Sequence, residues 1–145
     1  MFRQLSDRVW ASPQISLEDV ALAAQSGIGL IINNRPEGES DDQTPGEAIE
    51  QAAAAAGIAY VAIPITHAGF SQAQVTAMTD ALAGSQGGVL AYCRSGTRST
   101  LLWALAQAGQ GADLTAVTAM AAQAGYDVSP IRPLMDMLSA SAKAG

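Results

Sequence analysis

An α/β fold, with a mostly parallel central sheet flanked by helices, is predicted from three features of the sequence. Short runs rich in β-branched or aromatic residues at Ile28 to Asn33, Ile58 to Ile65 and Gly87 to Cys93 read as buried strands. Each run is followed by a helix-start signal, and strands alternating with helices imply parallel pairing with helices on both faces. A length of 145 residues, 49% of them hydrophobic, suffices for one core, so residues 1–145 read as a single domain.

The elements follow in chain order. Phe2 to Leu5 and Val9 to Ala11 flank Ser6-Asp7-Arg8 as a short edge hairpin. Ser16 with Asp19 opens a helix to about Ser26, and Gly27 supplies the left-handed residue that ends it. Thr44-Pro45-Gly46-Glu47 has the pattern of a capping box with proline at the first helical position, opening an Ala-rich helix that Gly57 stops. Ser71 with Gln74 opens a third, whose Val75, Met78 and Leu82 share one apolar face. Ser99 to Ala108 forms a helix directly after the loop that begins at Cys93, and Asp113 opens another that ends near Gly125. Ser129-Pro130 starts a C-terminal helix bearing Ile131, Leu134 and Leu138. The acidic segment Pro36 to Gln43 reads as a solvated loop.

Charge narrows the partners. A net charge of −6 opposes binding to nucleic acid or to an anionic membrane surface. Arg35, Arg94 and Arg98 each lie just after a strand-like run, which suggests a small anionic ligand. Cys93 is the single cysteine, so no internal disulfide forms, and a lone thiol fits the reducing cytoplasm. The N-terminal residues carry no apolar stretch of signal-peptide length, and no apolar run approaches the ~20 residues of a transmembrane helix.

The chemistry concentrates in Gly87-Gly88-Val89-Leu90-Ala91-Tyr92-Cys93-Arg94-Ser95-Gly96-Thr97-Arg98-Ser99-Thr100, a strand, a tight polar loop and a helix start. A cysteine there faces a helix N-terminus and several backbone N–H groups, which favour a thiolate and can also cradle an oxyanion. Gly96 lets the backbone curl, and Arg98 sets a planar, permanently charged fork opposite the sulfur. A lone cysteine ending a buried strand usually fills core space. No packing reason, however, calls for two arginines, two hydroxyls and a glycine in the five positions after it. Cys93 and Arg98 are therefore read as nucleophile and clamp, with Arg94, Ser95, Gly96, Thr97 and Ser99 in the anion-binding loop. The Ser99 hydroxyl is read equally as a partner of the sulfur or as a helix cap.

His67, the single histidine, lies in the loop after the second strand and is placed to protonate a leaving group, or else is an ordinary exposed loop residue. Arg35 reads either as a second anion contact or as a partner of Glu37, Glu39 or Asp41 that orders its loop. Asp41 and Asp42 read as solvated charges, and Trp10 and Trp103 as packing residues. One histidine and one cysteine make no transition-metal cluster and no dinucleotide glycine motif occurs, so neither metal nor organic cofactor is expected.

Asn33-Asn34-Arg35-Pro36-Glu37, Tyr60-Val61-Ala62-Ile63-Pro64-Ile65 and Leu90 to Ser99 resemble the bacterial family called the beta-lactamase hydrolase-like protein, phosphatase-like domain. The resemblance runs from Phe2 to about Leu138 and implies a fold like that of dual-specificity protein tyrosine phosphatases. It departs from the phosphatase pattern twice. Tyr92 stands where those enzymes have histidine, and four residues, not five, separate Cys93 from Arg98. The shorter loop is similar to that of rhodaneses, where the cysteine carries a persulfide. The usual acidic aspartate is missing, and the matching segment offers His67.

Three functions are compatible with these residues. A phosphatase-like hydrolase would use Cys93 to form a cysteinyl-phosphate, and a rhodanese-like sulfurtransferase would carry sulfur on the same thiol. A non-catalytic anion-binding module would use the loop without turnover. In each case the ligand is a small anion.

Overall fold

Alternation along the strands determines the architecture. In the computed structural model, described here for residues 2–144, Leu30 and Ile32 point to one side of the sheet and Ile28 and Ile31 to the other, and both sides are buried. The strands are β1 (Arg3–Gln4), β2 (Val9–Ser12), β3 (Ile28–Asn33), β4 (Ala59–Ala62) and β5 (Gly88–Tyr92). Their order is β1-β2-β5-β3-β4, parallel throughout except for the β1–β2 pair. The predicted hairpin is present, but of its two strands only β1 is an edge. β2 pairs with β5 and lies within the sheet.

Helices α1 (Leu17–Gln25) and α2 (Gly46–Ala55) cover one face through Val20, Ala23, Ile49 and Ala53. Helices α3 (Gln72–Gly84), α4 (Thr97–Gly109), α5 (Leu114–Gln123) and α6 (Arg132–Ala144) pack on the other. A short 3₁₀ turn, Ser129–Ile131, leads into α6, so Ser129-Pro130 opens a tighter turn before the helix. None of these helices is long and apolar enough to cross a membrane.

α4 is the central helix. Every residue from Ser99 to Ala106 is buried, because the sheet lies beneath the helix while α3, α5 and α6 pack around it. Truncating a fully buried leucine such as Leu102 to alanine costs roughly 2–5 kcal/mol. The polar loop therefore opens directly onto a rigid element. It begins two residues earlier than the sequence suggests, with Gly96 as its N-cap, so Thr97 and Arg98 belong to its first turn.

Two other expectations are corrected. The run Ile58 to Ile65 forms a strand only over Ala59–Ala62, a partly exposed edge. Beyond it the chain continues extended, with the Ile63 and Ile65 N–H groups donating to the carbonyls of Asn33 and Asn34 at 2.9 Å each. The capping box at Thr44 does not form. Pro45 is the N-cap, and a carboxylate from the preceding loop, Glu37, accepts the Gly46 N–H at 2.9 Å. The boxes at Ser16 and Ser71 form as predicted, and Asp113 caps α5 through the Thr115 N–H.

Candidate active site

The loop from Cys93 to Thr97 lies at the carboxyl ends of β5 and β3, where parallel sheets place ligand sites. Cys93 follows β5 directly and is fully buried, its N–H donating to the Ser12 carbonyl at 3.3 Å. The chain then turns back so that the Gly96 N–H donates to Cys93 Sγ at 3.2 Å. Gly96 has φ = +92°, and a Cβ there would lie 2.9 Å from Tyr126 Cζ and 3.3 Å from the Ser12 carbonyl carbon. Glycine is required on both counts. The first turn of α4, with its inward-facing amide dipoles, follows at once.

Arg98, expected to set its fork opposite the sulfur, is also tied to an acidic side chain and a backbone carbonyl. Its Nη1 and Nη2 donate to the two carboxylate oxygens of Glu39 at 2.6 and 2.9 Å, and Nη1 also donates to the Ile65 carbonyl at 2.8 Å. These bonds use three of the five guanidinium hydrogens. The Nε–H and one Nη2 hydrogen, which form the fork's other edge, are engaged by neither partner. The Glu39 carboxylate pushes the Arg98 pKa above its ordinary value, burial opposes the rise, and the neighbouring Cys93 side chain adds to it.

Glu39 is held from behind by Arg35, whose Nε donates to Glu39 Oε1 at 2.9 Å. Arg35 is only 4% exposed and also donates to Gln14 Oε1 at 3.0 Å and Ser40 Oγ at 3.1 Å. Of the three carboxylates named for Arg35, Glu39 is the one it pairs with. The segment Pro36 to Gln43 is accordingly not a simple solvated loop, since it folds back to place a carboxylate between two arginines. Arg98 foremost, with Arg35 helping and burial opposing, lowers the Glu39 pKa to about 2.

Ser99 neither bonds the sulfur nor caps the helix. Its buried hydroxyl donates to Asn34 Oδ1 at 2.7 Å, and Asn34 Nδ2 donates to the Ile63 carbonyl at 2.9 Å. The Asn34 N–H reaches the Tyr92 carbonyl at 2.8 Å. This closed network ties the ends of β3, β4 and β5 to the first turn of α4. Thr100 turns its hydroxyl to the Gly96 carbonyl at 2.9 Å.

Arg94, Ser95 and Thr97 form the exposed outer wall of the loop, with Ser95 Oγ donating to Thr97 Oγ1 at 3.0 Å. His67 is exposed in a turn from Thr66 to Gly69, two residues after the carbonyl that Arg98 grips. No hydrogen bond among the described residues fixes its ring. Asp42 accepts the Ser40 hydroxyl at 2.6 Å, while Asp41 is exposed. Trp103 is a core residue and Trp10 is half-buried. Tyr92 points to the α1–α2 face, away from Cys93, and burial pushes its phenol pKa well up.

Sequence reasoning missed Asn34, Gln14 and Tyr126 as supports of the loop. The Asn33-Asn34-Arg35 run at a strand end was the available signal for Asn34. Gln14 and Tyr126 carry no local signal, because their partners lie 21 and 31 residues away.

A profile of the family described as beta-lactamase hydrolase-like protein, phosphatase-like domain, matches residues 1–110, a stretch that contains the whole Cys93 loop. The chain belongs to this family. The phosphatase-like domain is 38% identical over 108 residues to the beta-lactamase hydrolase-like protein of Xylella fastidiosa, covering 74% of this chain. It spans about a quarter (25%) of the length of that relative. A Neisseria meningitidis chain solved as a phosphatase candidate superposes with a TM-score of 0.82 at 31% identity, covering 94% of this chain and 96% of its own. Pseudomonas aeruginosa TpbA, solved in complex with pTyr, shares the fold at 19% identity and a TM-score of 0.66, over 99% of this chain and 91% of its own. The architecture of the phosphatase-like domain is therefore that of tyrosine- and dual-specificity-phosphatase-like proteins. Residues from 111 onward, Tyr126 among them, lie outside the family match.

Proposed function

We propose that this chain is a cysteine-dependent phosphatase-like hydrolase, residues 1–145 acting as one cytoplasmic domain on a small phosphomonoester. The observation that carries the reading is the Cys93 sulfur held by the Gly96 N–H at the mouth of a helix whose first turn supplies Arg98. Cys93 Sγ attacks phosphorus, the P–O bond to the leaving group breaks, and a cysteinyl-phosphate forms that water then cleaves. The free edge of the Arg98 fork and the loop N–H groups hold the phosphoryl oxygens, where transition-state charge builds. Arg94 adds positive charge at the rim. His67 supplies the proton to the departing oxygen. Arg35 acts through Glu39 rather than on substrate. Among relatives of the fold, TpbA was solved with pTyr bound, which favours a phosphate ester as the class of substrate.

The four-residue spacing from Cys93 to Arg98 favours a second reading, sulfur transfer. Here the Cys93 thiolate attacks the sulfane sulfur of thiosulfate, the S–S bond breaks, sulfite departs with the electron pair, and the persulfide passes its outer sulfur to an acceptor thiolate or cyanide. This route needs no general acid.

A paired assay on one preparation separates the two. It follows p-nitrophenyl phosphate hydrolysis and thiosulfate-to-cyanide transfer, each with Cys93→Ser as control. Phosphate release that disappears in the variant supports the first reading. Cysteine-dependent thiocyanate without phosphate release supports the second. Neither product would leave a non-catalytic anion-binding module.

A further inference from the structure

Two hydrogen bonds lie on opposite ends of one peptide group. The Ser95 carbonyl accepts the Tyr126 hydroxyl at 3.0 Å, and the N–H of the same Ser95–Gly96 peptide donates to Cys93 Sγ at 3.2 Å. A trans peptide is planar, with its C=O and N–H pointing in opposite directions. Fixing one end therefore aims the other. We propose that Tyr126 is a positioning residue for the Cys93 site: by holding the Ser95 carbonyl it turns the Gly96 N–H onto the sulfur. The inference rests on the reading of Cys93 as the reacting atom and extends it to a segment beyond the family match.

The surroundings of Tyr126 suit this role. The residue is 8% exposed, and its ring lies under the Arg3 guanidinium, 5.3 Å from the ring centroid. Arg3 also donates to the Ala124 carbonyl at 3.1 Å, so β1 holds the segment that carries the tyrosine. The Tyr126 N–H donates to the Ala121 carbonyl at 2.9 Å, which fastens the residue to the end of α5. Gly96 has no Cβ, and Tyr126 Cζ and its hydroxyl oxygen occupy the space that one would fill. The peptide is thus gripped from outside the loop, where no loop residue competes for it.

The hydroxyl does more than orient. An O–H donating to a carbonyl polarises the amide and strengthens its N–H as a donor, so the bond to Cys93 tightens at both ends. The Gly96 N–H faces the sulfur, where it stabilises the thiolate before attack and any negative charge returned to the sulfur when an intermediate breaks down. Loss of the hydroxyl leaves the peptide free to rotate about its flanking bonds, and the site loses an aligned donor without losing a core side chain.

Tyr126→Phe is the direct test, because it keeps the ring beneath Arg3 and removes only the hydroxyl. The readouts are the Gly96 amide proton resonance, its hydrogen-exchange protection, and kcat and KM in the paired assay. The expected result is a displaced Gly96 resonance with reduced protection, and a kcat lowered roughly tenfold with KM within about twofold, as for a loosened electrostatic donor. Tyr126→Leu, which also removes the ring, should lower the melting temperature further without a comparable further loss of kcat. An unmoved Gly96 resonance in Tyr126→Phe, or losses of kcat that track melting temperature across the two variants, would overturn the proposal. The resonance decides the matter even if the wild-type protein turns over neither substrate, so failure of this inference and failure of the functional reading are distinguishable.

Discussion

Glu39 grips the end of the Arg98 guanidinium with both carboxylate oxygens, at 2.6 and 2.9 Å, and leaves the fork's other edge to the Cys93 loop. The pair is a charge-assisted, bidentate contact between residues 59 apart in the chain. Arg35 stands behind Glu39, so one carboxylate carries the load from two cations.

That arrangement predicts a particular acid dependence. The Glu39 pKa falls from 4.5 to about 2 on folding, chiefly through Arg98. A carboxylate with a depressed folded pKa binds its proton more readily in the unfolded chain. Its contribution is present above pH ~4.5 and is lost as the pH falls toward 2. Glu39→Gln should therefore flatten the acid limb of stability across that window while lowering stability at neutral pH. Urea unfolding at stepped pH measures both, and an acid limb as steep as that of the wild type would contradict the assignment.

Gly96→Ala should be among the most damaging single-methyl additions. The residue sits at φ = +92°, and its new Cβ would press on the Tyr126 ring and on the Ser12 backbone. A left-handed alanine costs about 1–2 kcal/mol before any clash is counted. The melting temperature should fall by roughly 5 °C or more, with turnover lost beyond what unfolding explains. Calorimetry beside the paired assay tests this, and a variant with native activity would show that the loop does not need its tight turn.

Ser99→Ala probes the buried network at the strand ends. It removes the 2.7 Å bond to Asn34 Oδ1 and leaves that oxygen buried without its donor. The expected loss of stability is about 1–3 kcal/mol, the range for an orphaned buried polar group. Because the sulfur is not a partner of Ser99, KM should change little. A large change in KM with no loss of stability would instead place the hydroxyl on the ligand.

His67 is tested through the leaving group. An exposed residue that donates a proton to a departing oxygen matters most when that oxygen is basic. His67→Asn should slow phenyl phosphate hydrolysis roughly tenfold or more, and p-nitrophenyl phosphate hydrolysis far less, since the latter leaves without help. Equal effects on both esters would remove His67 from the acid role.

The α/β class, the strand cores at β3 and β5, the caps at Ser16, Ser71 and Asp113, and the loop from Cys93 to Arg98 are all legible in the sequence. These features are local. A strand's apolar run, a cap three residues from its partner and a glycine between polar neighbours each state their physics within a few positions. Tertiary structure alone decided that Glu37 caps α2, that Glu39 holds Arg98, that Ser99 serves Asn34 and that Tyr126 reaches the Ser95 carbonyl. The reason is one of range. A carboxylate, an amide or a phenol is able to bond many partners, and its local sequence does not say which one the packed sheet and helices will bring within 3 Å.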